Sequence, residues 1–303
     1  PTAILAPFYF LFFGLMLSDA AYGLILTTLC AIILKKYKPE GTTHRMIKMF
    51  MFCGLSTFMW GALFGGWFGN FFTVAAKTFF GKEFVIRPLW FDPLSEPMRL
   101  LVVSLILGAI HLFVGMGVQA YMDIKDGRPL DALFDIGLWY LLLIGIVLFA
   151  FGGKLGAGAV GIGKIMAIVG AVGILLTGGR KKKGIFGKLT GGLGSLYGIT
   201  SYLSDVLSYS RLLALGLATG VVAQVFNTLG SLAGGGIAGS ILLIVVFAFG
   251  TVFNIAINAL GAFVHSCRLQ YVEFFGKFYT GGGRPFAPFE RKTKYIKILK
   301  EGN

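Results

Sequence analysis

Two arginines lie inside long apolar stretches of this sequence, where a permanent charge is unusual. Arg211 is in the apolar run 189–229 and Arg268 is in the run 237–278. An arginine at the centre of a lipid bilayer costs about 3 kcal/mol on insertion scales. The guanidinium stays protonated at physiological pH, so it cannot escape this cost by losing a proton. Both arginines are therefore candidate functional residues.

A polar stripe accompanies the second arginine. On a helix at 100° per residue, Asn254, Asn258, Gly261, His265 and Arg268 fall within a sector of about 80°. Such a stripe indicates either a water-accessible path or a line of hydrogen bonds between helices. We favour the path, because a charge inside a membrane is costly unless it faces a wet cavity.

The run around Arg211 has a polar face of its own, formed by three serines and Asp205. Asp205 precedes Arg211 by six residues, which separates the two side chains by about 120° around a helix, so they cannot form an i,i+4 ion pair. The anionic partner of Arg211 must come from another helix or another chain. Further along, Gln224 is as well suited to lining a path as to bonding the backbone.

Three other polar residues have a simpler interpretation. Asp19 is expected to cap a break in the first apolar run. His111 stands alone on an apolar face and is expected to be a hydrogen-bonded core histidine. Glu273 lies near the end of its segment, where a surface acid is the alternative to a role in the path.

The composition predicts a membrane protein that crosses the bilayer several times. The chain is 56% hydrophobic and only 13% charged, where soluble domains average about 25% charged residues. The net charge of +14 does not indicate nucleic acid, because the basic residues cluster in short runs between apolar segments, as cytoplasmic loops do. The three cysteines have unrelated spacings, and the glycine-rich runs lack a following Lys-Ser/Thr pair. We therefore expect no cofactor, no metal and no nucleotide site.

The apolar runs predict an all-α fold with about eight membrane segments. The first run contains the polar break Ser18–Gly23 and is read as a hairpin of segments 3–17 and 20–35, with one tilted span as the alternative. Basic clusters then place both chain ends in the cytoplasm. Each of the last two segments has about 40 residues and reaches about 60 Å, twice the hydrocarbon core, so both are expected to tilt strongly.

These predictions divide the chain into four parts. They are an N-terminal membrane hairpin (1–36), central transmembrane helices (37–178), two long tilted helices that form the ion path (179–279), and a basic cytoplasmic tail (280–303). The sequence begins with Pro1, and we expect it to be a piece of a longer polypeptide.

Two motifs resemble a known family. They are Ser208-Tyr-Ser-Arg-Leu-Leu-Ala-Leu-Gly-Leu-Ala218 and His265-Ser-Cys-Arg-Leu-Gln-Tyr-Val-Glu-Phe274. Both are similar to motifs in the membrane half of subunit a of V/A-type rotary ATPases, called subunit I in prokaryotes. The resemblance extends over essentially the whole chain.

The resemblance implies that two tilted helices face a ring of proteolipid rotor subunits, each carrying one ion-binding carboxylate. Arg211 and Arg268 match the paired arginines of the family, and His265, Gln270 and Glu273 fall on positions associated with the ion path. Peripheral-stalk and central-stalk subunits would bind through an N-terminal cytoplasmic half that is absent from this sequence. Eukaryotic members carry acids where this chain has Tyr197 and Asn258 and a histidine where it has Thr219, which favours a prokaryotic cell-membrane protein.

The expected function is that of a stator subunit. It would form two ion half-channels against the ring and couple the movement of H⁺ or Na⁺ to rotation, without being an enzyme by itself. The alternative is a secondary transporter with a buried, arginine-lined substrate site. Transporter folds usually carry internal repeats, and the two arginine segments have no counterpart in the first half of the sequence.

Overall fold

The computed structural model describes residues 2–81, 85–154, 156–178, 180, 185–232, 234, 236–279, 281–284, 286 and 289. Within these residues every regular element is a helix, which confirms the predicted all-α class. The basic run 181–184 and most of the predicted tail 280–303 lie outside the described residues.

Twelve α-helices follow one another in the described part of the chain, with a π-helix at Leu133–Gly137, a short 3₁₀ turn at Gly152–Lys154 and a second π-helix at Leu269–Phe274. The α-helices are α1 (Thr2–Leu17), α2 (Ala20–Tyr37), α3 (Gly41–Phe64), α4 (Phe71–Phe80), α5 (Pro97–Lys125), α6 (Pro129–Ala132), α7 (Leu138–Phe151), α8 (Ala157–Thr177), α9 (Ile185–Ser208), α10 (Ser210–Ser231), α11 (Ile237–Arg268) and α12 (Phe275–Phe278).

Seven helical stretches of the described chain are long and apolar enough to cross a membrane, and α1 is a shorter apolar helix beside them. The protein is therefore a multi-pass membrane protein, as the composition predicted. The last two stretches, Thr190–Ser231 and Gly239–Phe278, contain 42 and 40 residues. A helix of that length reaches about 60 Å, so it fits a hydrocarbon core of about 30 Å only when strongly inclined.

The break predicted in the first apolar run is present between α1 and α2. Ser18 adopts a φ of 33°, in the left-handed region that reverses the chain. Gly14 of α1 lies against Ser56, and Thr27 of α2 lies against Gly54, so residues on opposite sides of the break touch the same turn of α3. The two helices therefore fold back as two arms, both packed on α3.

The Asp19 carboxylate holds this break together. Its Oδ1 atom accepts hydrogen bonds from the backbone N–H groups of Ala21 at 3.0 Å and Tyr22 at 3.2 Å, which caps α2. It also accepts from Phe68 N–H at 3.2 Å, and Oδ2 accepts from Gly69 N–H at 2.9 Å. The prediction that Asp19 caps the break is confirmed, and the same carboxylate also fastens the loop that follows α3.

Helix α1 is the centre of the core. Phe12, Phe13 and Leu15 have no exposed surface, and α1 packs against α3, α10 and α11. The helices that carry the two arginines are thus fixed to the most buried element of the fold. Burial of aromatic and aliphatic side chains of this size contributes about 1.5–3 kcal/mol each in water-soluble proteins, and in lipid the equivalent stabilisation comes from close packing.

Candidate functional site

Each of the two arginines lies beside an irregularity in its helix. Arg211 is the second residue of α10, and Tyr209 interrupts the helical hydrogen bonding immediately before it, with φ −74° and ψ −9°. The Ser208 hydroxyl donates to the Ser204 carbonyl at 3.0 Å, a back-bond that bends helices. Arg268 is the last residue of α11, and the π-helix begins at the next residue. Such π segments widen a helix and often occur at functional sites.

Four charged or titratable side chains of the last two helical stretches lie within electrostatic range of the two arginines. The charges of Arg211 and Arg268 act on one another and on Glu273 and His265. Nη1 of Arg211, Nδ1 of His265 and Oε2 of Glu273 are buried and have no hydrogen-bond partner in the described part of the chain. The structure therefore brings together four of the residues predicted from the motifs and leaves polar atoms on three of them unsatisfied.

Asp205 lies one to two turns before Arg211 in the sequence, and its ion-pair partner is Lys277. The side-chain exposures of Lys277 and Asp205 are 13% and 22%, so this ion pair is largely buried. Lys277 also lies over the Tyr202 ring, with Nζ 4.1 Å from the ring centroid. The prediction that Asp205 does not pair with Arg211 is confirmed. Sequence reasoning missed Lys277, although it lies one helical turn after Glu273 and on the same face.

Glu273 and Gln270 are inside the protein. Their exposed fractions are 3% and 1%, so the alternative of a surface acid at Glu273 is wrong. Neither the oxygen nor the nitrogen of the Gln270 amide has a hydrogen-bond partner in the described residues. The π-helix turns both side chains inward, because its wider turn changes the direction of every residue that follows Arg268.

The other end of the polar stripe has a different environment. Asn254 Nδ2 donates to the Tyr22 hydroxyl at 3.0 Å and to the Thr219 carbonyl at 3.1 Å. Asn258 Nδ2 donates to the Asn254 carbonyl at 3.1 Å and to its side-chain oxygen. Asn254 thus bonds to two other helices, α2 and α10, whereas Asn258 bonds to Asn254 within α11. At this end of the stripe the geometry corresponds to the alternative of hydrogen bonding rather than to a water-accessible path. The stripe is continuous in sequence but changes character between Asn258 and His265.

Gln224 lies far from the arginines and lines a cavity of about 220 Å³. Ser18 and Asp19 also line this cavity, together with Asn70 and Asp92 from the loops on either side of α4. Two acidic residues and no basic residue are among its described lining residues, so the field inside it favours cations.

Arg268 is exposed on an otherwise apolar helix face. One, two and three turns before it, the side chains of Val264, Leu260 and Ile257 are 50%, 65% and 52% exposed. A guanidinium in such a row would face lipid unless another chain covered it, and that cost would be several kcal/mol. The described part of the chain leaves this row uncovered.

No group of three or more His, Cys, Asp or Glu side chains in the described residues has an arrangement that could hold a metal ion. The three cysteines are free. The polar atoms of the site are suited to binding water and to interacting with a carboxylate on a neighbouring chain.

Fold and site together define an all-α, multi-pass membrane protein whose two longest apolar helical stretches each carry one arginine. Residues 199–291 match the model of the V-type ATPase 116kDa subunit family, a range that contains both arginines. The chain is 35% identical to the A-type ATP synthase subunit I of Methanocaldococcus jannaschii, over 97% of this chain. It is 37% identical to that of Thermococcus kodakarensis, over 99% of this chain, and 25% identical to the V-type ATP synthase subunit I of Borreliella burgdorferi, over 95%.

These similarities confirm the resemblance noted from the motifs: the chain is a relative of subunit I of A-type and V-type ATP synthases. It spans about half the length of the curated relatives that it matches, covering 45% of each of the two archaeal proteins and 48% of the bacterial one.

Proposed function

We propose that this chain is the membrane part of a rotary ATP synthase subunit, and that it forms two ion half-channels against a ring of proteolipid subunits. The observation that carries the proposal is the arginine cluster. Arg211 has a buried nitrogen with no partner in the described chain, and Arg268 is exposed on an apolar face. A moving carboxylate on a rotor subunit is a counter-charge that satisfies both requirements.

The mechanism follows from the permanent charge of the two guanidinium groups. A nearby cation favours the ionised form of a carboxylate, so a rotor carboxylate that reaches the cluster releases its ion into one half-channel. After passing the cluster, the carboxylate takes up an ion from the other half-channel and returns to lipid in neutral form. The positive charge between the two half-channels opposes the direct passage of cations. A lysine could lose its proton in such a site, whereas arginine cannot.

The cavity beside Gln224 suits the outer half-channel. With the basic clusters on the cytoplasmic side, the loop that follows α3 lies outside, and the cavity opens between that loop and α10. Gly216, another lining residue, stands five residues beyond Arg211, about 7.5 Å along the helix. A cation that enters past Asp92 and Gln224 would reach the level of Ser18, one to two turns from the arginine.

The cytoplasmic half-channel would begin at the other ends of the two long helices. Asp205 and Glu273 interact electrostatically there, and Gln270 lies one turn before Glu273 with both polar atoms unpaired in the described residues. His265 lies one turn before Arg268 in α11, so Arg268 separates it in sequence from Gln270 and Glu273. In this proposal the Asp205–Lys277 ion pair would lie at the cytoplasmic entrance, and the C-terminal tail would lie in the cytoplasm.

The test is ion transport by the reconstituted complete complex carrying Arg211→Ala. We expect ATP-driven ion transport to fall by more than about tenfold, corresponding to about 1.4 kcal/mol or more. Arg211→Lys tests whether a permanent charge is required and should also impair transport. The control is Arg45→Ala, because Arg45 is exposed near the start of α3. Full coupled transport by Arg211→Ala would overturn the proposal, and solute binding by the isolated chain would then support the secondary transporter.

A further inference from the structure

Helix α5 presents a short row of residues to both helix irregularities. Gly108, His111 and Gly115 lie three and four residues apart, on one face of α5. The ring of Tyr209 occupies the space where a side chain at Gly108 would be, with Cγ 2.3 Å from a Cβ placed there. The ring of Phe274 lies 3.1 Å from a Cβ placed at Gly115. The two glycines thus leave room for one aromatic ring from each irregular segment to pack against α5.

His111 lies between Gly108 and Gly115 on α5 and contacts both rings. Its Nδ1 atom is 2.7 Å from the Tyr209 hydroxyl, a hydrogen bond whose direction depends on the imidazole tautomer. Its ring is stacked on Phe274, with centroids 4.2 Å apart and planes inclined by 8°. His111 and Tyr209 are both fully buried, at 0% exposure. This histidine is therefore bound to the residue that interrupts α9–α10 and to the π-helix that follows Arg268.

The contact with Tyr209 bears on Arg211, because Arg211 is two residues away and Tyr209 sets the direction in which α10 begins. The contact with Phe274 bears on Glu273, its neighbour in the π-helix. The Gln270 amide also approaches the His111 ring, but neither Nε2 of His111 nor the amide reaches a hydrogen-bond geometry in the described chain. Burying a polar histidine with only one hydrogen bond inside a membrane costs free energy, and polar residues in such positions usually have a functional role.

We propose that His111 is a positioning residue for ion translocation: it holds Tyr209 and Phe274 together and thereby fixes the spacing of Arg211 and Glu273 between the two long helices. This inference rests on the proposed function and adds α5 to the residues that serve it. A fixed spacing matters because a misplaced charge lets an ion pass without rotation, or lets the rotor turn without moving an ion.

The experiment measures ions transported per ATP hydrolysed by the reconstituted complete complex. Tyr209→Phe removes the hydrogen bond and keeps the ring, and His111→Phe keeps an aromatic ring on Phe274 and removes the same bond. Each should lower the ratio roughly threefold to tenfold, the effect of losing one hydrogen bond of ordinary strength at the site. The double variant should be no worse than the worse single variant, because both remove one bond. His111→Gln restores a hydrogen-bonding group and should recover part of the ratio.

Matched controls are His44→Phe and Tyr121→Phe, since both residues are exposed and Tyr121 lies on α5 itself. Both should leave the ratio unchanged. If His111→Phe and Tyr209→Phe lower only the amount of assembled complex, while the remaining complexes keep the normal ratio, His111 is structural and the inference is overturned. If Arg211→Ala also keeps the normal ratio, the proposed function itself fails, so the two failures are distinguishable.

Discussion

Two buried carboxylates in this molecule have opposite surroundings. Asp19 and Glu273 are each only 3% exposed. Asp19 accepts hydrogen bonds from four backbone N–H groups, so both of its oxygens have partners within the chain. Glu273 lies among arginines and another acid and keeps Oε2 without a partner in the described residues. A carboxylate whose partners are backbone groups builds structure, whereas one left partly unsatisfied near fixed charges is available to a path.

The two arginine-bearing helices show the same contrast along their length. The side-chain nitrogens of Asn254 and Asn258 both donate hydrogen bonds to acceptors within the protein, on α2, α10 and α11. Three turns further, near His265 and Arg268, such partners are missing for several buried atoms. Removing an interaction in the first region should reduce stability, and removing a group in the second should reduce transport. The following predictions test this division in order of expected effect on the free energy of unfolding.

The largest effect on stability is expected for Asp19→Ala. The change leaves four backbone N–H groups without their acceptor and removes the cap of α2, which should cost about 3–5 kcal/mol. Asp19→Asn keeps one acceptor oxygen and should give an intermediate loss. The measurement is the thermal unfolding midpoint of the detergent-solubilised protein, with Asp126→Ala as control, because Asp126 is exposed and paired only at the surface with Arg128. An unchanged midpoint for Asp19→Ala would show that Asp19 is not a structural carboxylate, and its contrast with Glu273 would then fail.

A smaller loss is expected for Lys277→Ala. This variant leaves Asp205 without its ion-pair partner in a largely buried position and removes the contact with the Tyr202 ring. We expect a loss of about 1–2 kcal/mol. Lys164→Ala serves as control, since Lys164 is exposed on α8. Asp205→Asn should lose less than Lys277→Ala, because the Lys277 ammonium keeps its contact with the Tyr202 ring, whereas Lys277→Ala loses the ion pair and that contact together. A lower midpoint for Asp205→Asn than for Lys277→Ala would show that the pair is not the stabilising element.

The sequence was sufficient for the features that depend on local chemistry. A polar, glycine-containing break inside an apolar run predicted the two arms that meet at Asp19. The angle of about 120° between Asp205 and Arg211 excluded their ion pair, because helix geometry alone decides it. The two arginines stood out because charge is rare in lipid. Each of these inferences needs only the residues of one segment.

Features formed by contacts between distant segments could not be predicted in this way. The Asp205–Lys277 pair joins residues 72 positions apart, and the His111–Tyr209 bond joins residues 98 positions apart. The sequence after Arg268 has no pattern that distinguishes a π-helix from an α-helix. The burial of Glu273 could therefore not be predicted from it. For the asparagines, periodicity gave the correct helix face but could not show that Tyr22 and Thr219 would cover it.

The smallest effect on stability, and the sharpest test of the comparison, is expected for Glu273→Gln. The change keeps the shape of the side chain and removes a charge that the described chain does not fully satisfy, so the free energy of unfolding should change by less than about 1 kcal/mol. Ion transport by the complete complex should nevertheless fall, because the site loses the acid on which the charges of Arg211 and Arg268 act. Glu96→Gln is the control, since Glu96 forms a surface pair with Arg99. A large loss of stability together with normal transport would make Glu273 a structural carboxylate like Asp19. Normal values of both would exclude Glu273 from the path, and the unsatisfied oxygen would then carry no function.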